Sequence, residues 1–446
     1  MMLWIYRAAF LPVFLVLFPR HLLRMLRRGG YARDFAHRLG AIAPLPPKPV
    51  GKQRVWLQAV SVGEVNALVP LLKMLAADAT CESVLTTTTS TGYAIAREKS
   101  AAFTCATGIF PIDFWPFSHR AWRRIRPDLA VLMESELWPE HLAQARRHRV
   151  PIVLINARLS DRSFRRYARC PRIARQQLDT LAHIGAATRA DMRRFKRLGV
   201  PAEKITLTGN LKFDAVTPSC GNPARDGGAE LRRSLGFGDA PGAPVLLGSS
   251  TWPGEEEMLL ETLRQARKRG IPLRLLIVPR HAERRGEITA MLAHTPWSWF
   301  LRTQHPAGPP HPADVCVADT TGELGRITSQ ATLAFIGKSL PPNNGGQTPI
   351  ECAAQGVPMV YGPHMSNFRE ICGGLEKARA ALRVPDATAA TNALLMLADN
   401  APRRDELARK ARQWHTANQG ATQRTLALLN RFREAAAPPA HAPAAP

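Results

Sequence analysis

Two acidic segments contain carboxylates that can take up a proton. Glu64 ends the segment SVGE, and Glu136 lies with Glu134 in the segment ESELWP. Each segment follows an apolar run that predicts a buried strand, Val55–Val60 in one case and Leu129–Met133 in the other. A carboxylate at the end of such a strand can act as a general base on a hydroxyl group. Alternatively, Glu64 only complements the dipole of the next helix, and the other two lie at a solvated loop edge.

Basic residues follow other predicted strands and suit anionic ligands. Arg158 lies in the segment NARLS after the predicted strand Ile152–Asn156, and three more arginines follow at positions 162, 165 and 166. Arg280 comes shortly after a later predicted strand, Leu273–Val278. Guanidinium groups can bind phosphate through two parallel hydrogen bonds. These residues therefore predict phosphate binding, with a merely basic surface as the alternative.

Two loops rich in small residues precede predicted helices in the second half of the chain. Such loops leave backbone N–H groups available to a phosphate at the start of a helix. The second loop, GGQTPIE, ends in a glutamate one turn into the predicted helix, where the carboxylate can bind ribose hydroxyls. The candidate ligands are Ser250 and Thr251 in the first loop and Gly346, Gln347, Thr348 and Glu351 in the second.

Strands and helices alternate along the chain, which predicts an α/β fold with parallel sheets. A segment rich in proline and glycine, Ala215–Pro244, interrupts this pattern and predicts a linker between two doubly wound sheets. Two such sheets favour a ligand in a cleft between them, at the carboxyl ends of the strands. The remaining predicted strands are Ser83–Thr88, Gly108–Ile112 and His183–Ala187 before the linker, and Val245–Ser249, Asp314–Ala318, Thr332–Ile336 and Pro358–Tyr361 after it.

The composition indicates a globular protein with anionic partners. The chain has 446 residues, 45% of them hydrophobic, which favours two domains. Its net charge of +25 favours an anionic substrate or an anionic surface. Aromatic residues make up only 7% and no nucleic-acid-binding motif is visible, so we expect no nucleic-acid partner. Seven cysteines without a CxxC pair predict a reducing compartment, the cytosol.

The N-terminal residues predict contact with a membrane. Residues 1–18 are apolar except for Arg7, and arginines follow at positions 20, 24, 27 and 28. The apolar run is shorter than the roughly 20 residues of a spanning helix, and no signal-peptide cleavage site follows it. We expect a helix at the inner leaflet with its arginines on lipid phosphates. A helix buried in the first domain is the alternative, and spanning or lying flat stays open.

Nine segments of the chain resemble the 3-deoxy-D-manno-octulosonic acid (Kdo) transferase family. They occur in the family's order between Trp56 and Ile371 and so extend over both predicted domains. The N-terminal residues are also similar to the membrane segment of that family. The nine segments are WLQAVSVGE, ESELWP, NARLSDRS, TGNLKFD, GSSTWPGEEE, VPRHAER, DTTGELG, GGQTPIE and GVPMVYGPHMSNFREI.

The resemblance implies a GT-B glycosyltransferase fold, with two Rossmann-like domains facing each other across a cleft. It implies an inverting transfer of Kdo from CMP-Kdo to a lipid A precursor, lipid IVA, at the cytoplasmic face of the inner membrane, in lipopolysaccharide biosynthesis. We expect no metal and no other cofactor. The predicted parts are a membrane segment at 1–30, an acceptor domain at 31–215, a linker at 216–244, a donor domain at 245–434 and a disordered tail at 435–446.

The resemblance also implies roles for individual residues. Glu64, in WLQAVSVGE, resembles the family's general base by its position in the motif. Glu136 and Arg158, in ESELWP and NARLSDRS, are expected to support the active site on the acceptor side. Lys212, in TGNLKFD, and Arg280, in VPRHAER, match basic positions that face the donor.

The second loop resembles the family less closely. Glu351 matches the glutamate expected to hold the ribose of CMP. The family usually has GGHN where this chain has Gln347 and Thr348 after two glycines, and it often has GGS where this chain has GKS. The lysine of GKS, Lys338, adds a positive charge that we expect near the leaving phosphate.

Two other functions stay open at this point. One is a GT-B transferase or epimerase that uses a uridine nucleotide sugar. The other is a basic protein that binds a membrane or RNA and has no enzymatic activity. The oligomeric state is not predicted.

Overall fold

The chain divides into two compact units. The computed structural model describes residues 2–27, 34–216, 228–238 and 242–436. Unit 1 comprises residues 1–215 and 419–446, and unit 2 comprises residues 216–418. Parts of the predicted linker (217–227 and 239–241) and of the predicted disordered tail (437–446) lie outside the described residues.

Unit 1 contains the first seven strands and most of the helices that flank them. Its elements up to residue 215 are α1 Met2–Arg27, β1 Gln53–Ala59, α2 Val62–Ala77, β2 Cys81–Thr87, α3 Ser90–Lys99, β3 Ala106–Ile109, α4 Trp115–Ile125, β4 Leu129–Met133, α5 Pro139–His148, β5 Ile152–Ala157, α6 Asp161–Arg169, α7 Pro171–Leu178, β6 His183–Ala186, α8 Arg189–Arg197 and β7 Ile205–Leu207.

The seven strands of unit 1 form one parallel sheet in the order β3-β2-β1-β4-β5-β6-β7. Both faces of this sheet are covered, because alternate residues of β4 enter two different hydrophobic clusters. Val131 and Met133 lie in one cluster, and Ala130 and Leu132 lie in the other. The strand order reverses direction between β1 and β4, where doubly wound sheets bind ligands at the carboxyl ends of their strands.

Unit 2 contains the second set of seven strands. Its elements are α9 Gly228–Ser234, β8 Val245–Thr251, α10 Glu255–Lys268, β9 Arg274–Pro279, α11 Arg285–Leu292, β10 Trp299–Leu301, β11 Val315–Val317, α12 Leu324–Thr328, β12 Leu333–Ile336, α13 Ile350–Gln355, β13 Met359–Tyr361, α14 Arg369–Lys377, β14 Leu382–Arg383, α15 Ala387–Asp399 and α16 Ala401–Asn418.

The strands of unit 2 also form a parallel sheet, in the order β10-β11-β9-β8-β12-β13-β14. The two parallel seven-stranded sheets confirm the predicted α/β class with two Rossmann-like domains. Three strands were not predicted, β7, β10 and β14. Each has only two or three residues, too few to produce a visible alternation of polar and apolar side chains.

The end of the chain belongs to unit 1 rather than to the second domain, where we expected it. A last helix, α17 Ala421–Ala436, follows α16 after a break at Gly420, whose φ is 85°. Leu428 and Leu429 of α17 are buried in a hydrophobic cluster of unit 1. An apolar helix face alone does not tell which of two apolar sheets the helix covers.

The described part of the predicted linker is also folded. Residues 228–234 form α9, and Leu231, Leu235 and Phe237 are buried within unit 2. Proline and glycine dominate the composition of the surrounding segment, and for this reason it was predicted to be a linker.

The N-terminal helix α1 contacts unit 1 along one side. The Tyr6 hydroxyl donates to an Asp113 carboxylate oxygen at 2.7 Å, and the Arg7 guanidinium donates to both carboxylate oxygens of Glu140 at 2.8 and 2.9 Å. The Phe10 ring stacks on the Phe114 ring with centroids 4.8 Å apart. Within the described residues, no helix combines the length and the apolarity that crossing a bilayer requires.

Candidate active site

Glu64 is held at the carboxyl end of β1, in the first turn of α2. It is buried, with 7% of its surface exposed. The Val60 backbone N–H donates to one of its carboxylate oxygens at 2.9 Å, and the Ser61 hydroxyl donates to the other at 3.0 Å. The carboxylate therefore does stabilise the start of its own helix, as the alternative interpretation expected. These two hydrogen bonds also fix its position at the strand edge where a ligand would bind.

Glu134 connects the ends of two strands and binds Lys212. Its backbone has a φ of 57°, a left-handed conformation that costs energy in a residue with a side chain. The Glu134 carbonyl accepts from the Arg158 N–H at 3.1 Å. Its carboxylate accepts from Lys212 Nζ at 2.8 Å. The structure thus places Lys212 beside Glu134 in unit 1, and the donor-facing role of Lys212 stays a prediction.

The charges of these carboxylates change one another's protonation. Burial raises the pKa of Glu64, and the charge of Glu134 raises it further, whereas the charge of Lys212 lowers it. Burial and, to a smaller extent, the charges of Glu64 and Glu134 together raise the pKa of Glu136 to about 7. The structure therefore places the predicted residues Glu64 and Glu136 near enough for the charge of one to affect the protonation of the other.

Asn156 positions the segment that carries Lys212. It lies at the end of β5, is fully buried and has a φ of 49°. Its side-chain carbonyl accepts from the Leu211 N–H at 3.1 Å, and Asn210 in turn accepts from the Lys212 N–H at 3.0 Å. Asn156 was not among the predicted site residues, and Glu134 was considered only together with Glu136. The signal that could have found Asn156 is its amide side chain at the end of the apolar run Ile152–Asn156.

The predicted arginines occupy the same edge of unit 1. Arg158 follows β5 and is half-buried. Beyond it, the exposed side chains of Arg162, Arg165, Arg166 and Arg169 on α6 line an open groove of about 560 Å³. Three of the four predicted arginines of this region, Arg162, Arg165 and Arg166, therefore lie together, and Arg169, which was not predicted, lines the same groove.

In unit 2, Glu255 holds the loop that follows β12. It is 1% exposed, in the first turn of α10. Its carboxylate accepts from the backbone N–H groups of Trp252 at 2.9 Å, Lys338 at 2.8 Å and Ser339 at 3.0 Å. Burial raises the pKa of Glu255 to about 7, although these N–H donors oppose the increase. Glu255 was not predicted as a site residue, since a glutamate at the start of a helix is common.

Lys338 lies on the ring of Trp252. Its backbone has a φ of 58°, where glycine would be the less strained residue. The Lys338 ammonium nitrogen is 4.2 Å from the centroid of the Trp252 ring, and the Trp252 and His281 ring centroids are 5.4 Å apart. Within the described residues, the buried Thr251 hydroxyl and Trp252 indole N–H have no hydrogen-bond partner. A cation and two unpaired buried polar groups thus lie together after β8 and β12.

The glycine loop after Lys338 precedes a helix, as predicted, but the two glycines lie outside that helix. Gly345 and Gly346 have φ values of 112° and 72°, so neither is helical, and α13 begins only at Ile350. A side chain on Gly346 would collide with Met365 at 2.4 Å. The loop is instead fixed by the Gly346 N–H, which donates to the Lys338 carbonyl at 3.0 Å.

The other predicted donor residues lie around this loop. The Gln347 N–H donates to the Gly337 carbonyl at 3.1 Å, and the Thr348 hydroxyl accepts from the Ile350 N–H at 3.2 Å. Thr348 therefore lies just before α13, which carries Glu351 in its first turn. Ser250, with a φ of 57°, is the second-last residue of β8 and lies beside the close approach of Gly337, where an added Cβ would lie 2.3 Å from the Ser250 carbonyl oxygen.

Arg280 is exposed after β9. Its N–H donates to the Thr251 carbonyl at 3.1 Å, which joins the ends of β8 and β9. The neighbouring Arg284 instead pairs with Glu256 of α10 at 2.6 Å. Within the described ranges, no three His, Cys, Asp or Glu side chains are grouped in a way that could hold a metal ion. That the reaction needs no metal stays a prediction.

Comparisons with known structures agree with the fold. The chain is similar to a UDP-GlcNAc 2-epimerase from Neisseria meningitidis solved with UDP-GlcNAc, with a TM-score of 0.60 and 13% identity over 85% of this chain and all of that one. A putative UDP-N-acetylglucosamine 2-epimerase from Listeria monocytogenes gives a TM-score of 0.58 at 14% identity, over 86% of this chain and 97% of that one. These likenesses confirm the predicted GT-B fold.

Sequence comparisons identify the family. Residues 33–215 match the family described as 3-Deoxy-D-manno-octulosonic-acid transferase (kdotransferase). The chain is 35% identical to the 3-deoxy-D-manno-octulosonic acid transferase of Bordetella pertussis, over 91% of this chain and 94% of that one. It is 32% identical to the Haemophilus influenzae protein of the same name, over 93% of each chain. The chain therefore belongs to the 3-deoxy-D-manno-octulosonic acid (Kdo) transferase family and is a glycosyltransferase.

Proposed function

We propose that this glycosyltransferase moves Kdo from CMP-Kdo to a hydroxyl group of a lipid A precursor, with inversion at the anomeric carbon. The observation that carries the proposal is Glu64, a buried carboxylate fixed by Val60 and Ser61 at the ligand-binding edge of a doubly wound sheet. A sugar hydroxyl is a poor nucleophile at neutral pH and needs a base of this kind.

In the proposed reaction, Glu64 accepts the proton of the acceptor hydroxyl. The hydroxyl oxygen forms the new bond to the anomeric carbon of Kdo, and the bond from that carbon to the phosphate oxygen of CMP breaks. CMP leaves with both electrons of that bond. Lys212 and Glu136 support the base. The charge of Lys212 lowers the pKa of Glu64, and Glu136 is near enough to Glu64 for the Glu64 charge to raise the pKa of Glu136.

The residues of unit 2 bind the donor in this proposal. Lys338 and Arg280 stabilise the negative charge that grows on the leaving phosphate. The Thr251 hydroxyl and the Trp252 indole N–H are available as donors, since a buried polar group without a partner is costly unless a ligand satisfies it. Ser250, Gly346, Gln347, Thr348 and Glu351 complete the predicted donor contacts. We assign the charge stabilisation to these protein groups rather than to a metal ion.

We also propose that the protein works at the cytoplasmic face of the inner membrane. Among the α1 side chains that the structure describes, six large apolar ones are exposed: Trp4, Ile5, Leu11, Val13, Leu15 and Val16. Their exposed fractions range from 51% to 78%, and such an apolar surface favours contact with lipid. A helix whose Tyr6 and Arg7 bind unit 1 would lie along the bilayer surface rather than cross it.

The donor and acceptor are tested together by product analysis. The purified protein is incubated with a lipid A precursor and either CMP-Kdo or a UDP-sugar, and the lipid products are weighed by mass spectrometry. We expect a mass increase of one or more Kdo residues with CMP-Kdo alone. Transfer from the UDP-sugar, or no transfer from CMP-Kdo, would overturn the proposal.

The role of Glu64 is tested by Glu64→Gln, which keeps the shape and removes the base. We expect turnover to fall by a factor of about 10² to 10⁴, while calorimetric binding of CMP-Kdo stays unchanged. The exposed Glu203 of the same unit offers a control, and Glu203→Gln should leave turnover as it is. Near-normal turnover in the Glu64 variant would remove Glu64 as the base.

A further inference from the structure

Four arginines line the groove on α6, and the proposed chemistry of Glu64 assigns them no role. Arg162, Arg165, Arg166 and Arg169 follow one another at intervals of three, one and three residues. On an α-helix this spacing places all four on one face. They are exposed, and together they line the groove. The helix therefore presents four guanidinium groups at one place on the surface of unit 1.

Among the described residues, no carboxylate pairs with the arginines of this face. Within the described ranges, none of the four arginines forms an ion pair with an aspartate or a glutamate. The one acidic residue of α6, Asp161, binds Arg194 of α8 at 2.7 Å instead. Like charges three and four residues apart destabilise a helix. An anionic ligand would remove this repulsion, and arginine is the side chain best suited to bind phosphate with two parallel hydrogen bonds.

The opposite side of α6 fixes the helix on unit 1. Phe164 and Tyr167 are half-buried and pack against a hydrophobic cluster of unit 1. The Arg197 guanidinium lies over the Phe164 ring at 4.7 Å. The Arg166 guanidinium lies over the Tyr167 ring at 5.7 Å. Because an arginine covers each of the two rings, neither is available to stack on bases, which argues against a single-stranded nucleic acid as the ligand.

The groove lies close to the proposed base. The α6 helix begins four residues after β5, and the Arg158 N–H between them donates to the Glu134 carbonyl at 3.1 Å. Tyr167 of α6 is near enough to Glu136 for the carboxylate charge to raise the pKa of the phenol, although burial raises that pKa more. The groove and the acidic residues therefore lie on segments of unit 1 that are joined by this hydrogen bond.

We propose that the α6 groove binds phosphate groups carried by the acceptor and thereby places the acceptor hydroxyl at Glu64. The ligand class is a glycolipid with one or more phosphomonoesters on its sugars. This inference rests on the proposed function, since it names how the same site selects its acceptor. It assigns the four arginines a role in acceptor affinity and leaves donor binding to unit 2.

The test compares Arg165→Gln/Arg166→Gln with the matched variant Arg172→Gln/Arg175→Gln on the next helix, whose arginines are also exposed and do not line the groove. We measure transfer in detergent with a bisphosphorylated glycolipid acceptor and with the same glycolipid after removal of its phosphates. We expect the groove variant to raise KM for the phosphorylated acceptor at least tenfold. The KM of the groove variant for CMP-Kdo should not change. With the dephosphorylated acceptor, the acceptor KM of the groove variant should equal that of the parent.

Several outcomes would overturn the inference. An unchanged acceptor KM would do so, and so would an equal increase in the Arg172/Arg175 variant, which would indicate general charge only. The groove would instead belong to the bilayer surface if the groove variant lost binding to vesicles of anionic phospholipid that contain no acceptor, while its acceptor KM stayed that of the parent. Arg162→Gln/Arg169→Gln provides a second groove variant if the first is poorly folded, and thermal unfolding checks this.

Failure of the proposed function can be told apart from failure of this inference. Binding of the bisphosphorylated glycolipid can be measured directly by calorimetry, without donor. If the parent protein transfers no Kdo yet binds the phosphorylated glycolipid more tightly than the groove variant does, the groove assignment is supported and the proposed reaction is wrong. If transfer occurs and the two proteins bind the glycolipid equally, the groove assignment falls alone.

Discussion

Lys212 and Glu134 lie side by side and act on Glu64 in opposite directions. The Lys212 charge lowers the pKa of Glu64 and the Glu134 charge raises it. A general base works only when ionised, so a higher pKa moves the acid limb of the pH–rate profile to higher pH. We therefore expect Lys212→Met to move the acid limb of kcat/KM upward and Glu134→Gln to move it downward.

The opposite signs make this test independent of any loss of rate. Lys196→Met removes an exposed lysine of the same unit and should leave the profile in place. Shifts of Lys212→Met and Glu134→Gln in the same direction would show that the two charges do not act on the base.

A second residue, Glu255, fixes the loop that carries Lys338. Its carboxylate accepts from the N–H groups of Trp252, Lys338 and Ser339, and hydrogen bonds to a charged group contribute about 1.5–3 kcal/mol each. We expect Glu255→Gln to lower the free energy of unfolding by on the order of 2 kcal/mol and to raise KM for CMP-Kdo. Urea denaturation and steady-state kinetics measure the two effects.

The neighbouring Glu257 is exposed in the same helical turn and provides the control. Glu257→Gln should change neither the free energy of unfolding nor the donor KM. A Glu255 variant as stable as the parent, with an unchanged donor KM, would show that the loop does not depend on this carboxylate.

At the scale of elements, α1 combines two contributions that mutation can separate. The carboxylate of Glu140 is fully buried, and Arg7 is the cation that binds it. Removing one partner of such a pair leaves a buried charge, so Arg7→Ala should cost on the order of 3 kcal/mol in the free energy of unfolding. Trp4 is 71% exposed. Trp4→Ala should instead reduce flotation with anionic vesicles and leave stability within about 0.5 kcal/mol.

Unfolding and vesicle flotation together show whether α1 only binds the membrane or also stabilises the rest of unit 1. If Arg7→Ala were as stable as the parent, α1 would contribute nothing to unit 1. In that case deletion of residues 1–20 would release an intact enzyme from the membrane. The contacts of Tyr6 and Arg7 lead us to expect an unstable unit 1 after that deletion.

Elements also show where prediction from the sequence succeeds. The long strands β1, β4, β5 and β8 were predicted because buried parallel strands are continuous apolar runs. The short edge strand β14 was not, since two residues carry no pattern. Glu64 was found because it follows such a strand. Glu255 and Asn156 were missed because they act by binding the backbone of segments distant in sequence, and those contacts exist only in the folded chain.

At the scale of the whole molecule, unit 1 is discontinuous in sequence. Asp214 accepts from the N–H groups of Gly420 at 2.8 Å and Thr422 at 2.6 Å, and so holds the start of α17 at the end of the first segment. Leu429 of α17 is fully buried in unit 1. We expect Leu429→Ala to destabilise the protein by about 2–5 kcal/mol, with CMP-Kdo binding by unit 2 unchanged.

Leu426 of the same helix is only partly buried and provides the matched control, since Leu426→Ala should cost much less. Equal losses of stability in the two variants, or a loss of CMP-Kdo binding in both, would contradict the assignment of α17 to unit 1. Both properties can be measured by urea denaturation and calorimetry.

The return of the chain to unit 1 also determines the order in which the protein can be completed during synthesis. All residues of unit 2 lie between positions 216 and 418, so this unit leaves the ribosome whole while unit 1 still lacks α17. The cluster that Leu428 and Leu429 fill therefore stays uncovered until the last segment emerges. Unit 1, whose first segment is translated before unit 2, is thus completed only after unit 2 has been translated, so a nascent chain without α17 has an incomplete unit 1.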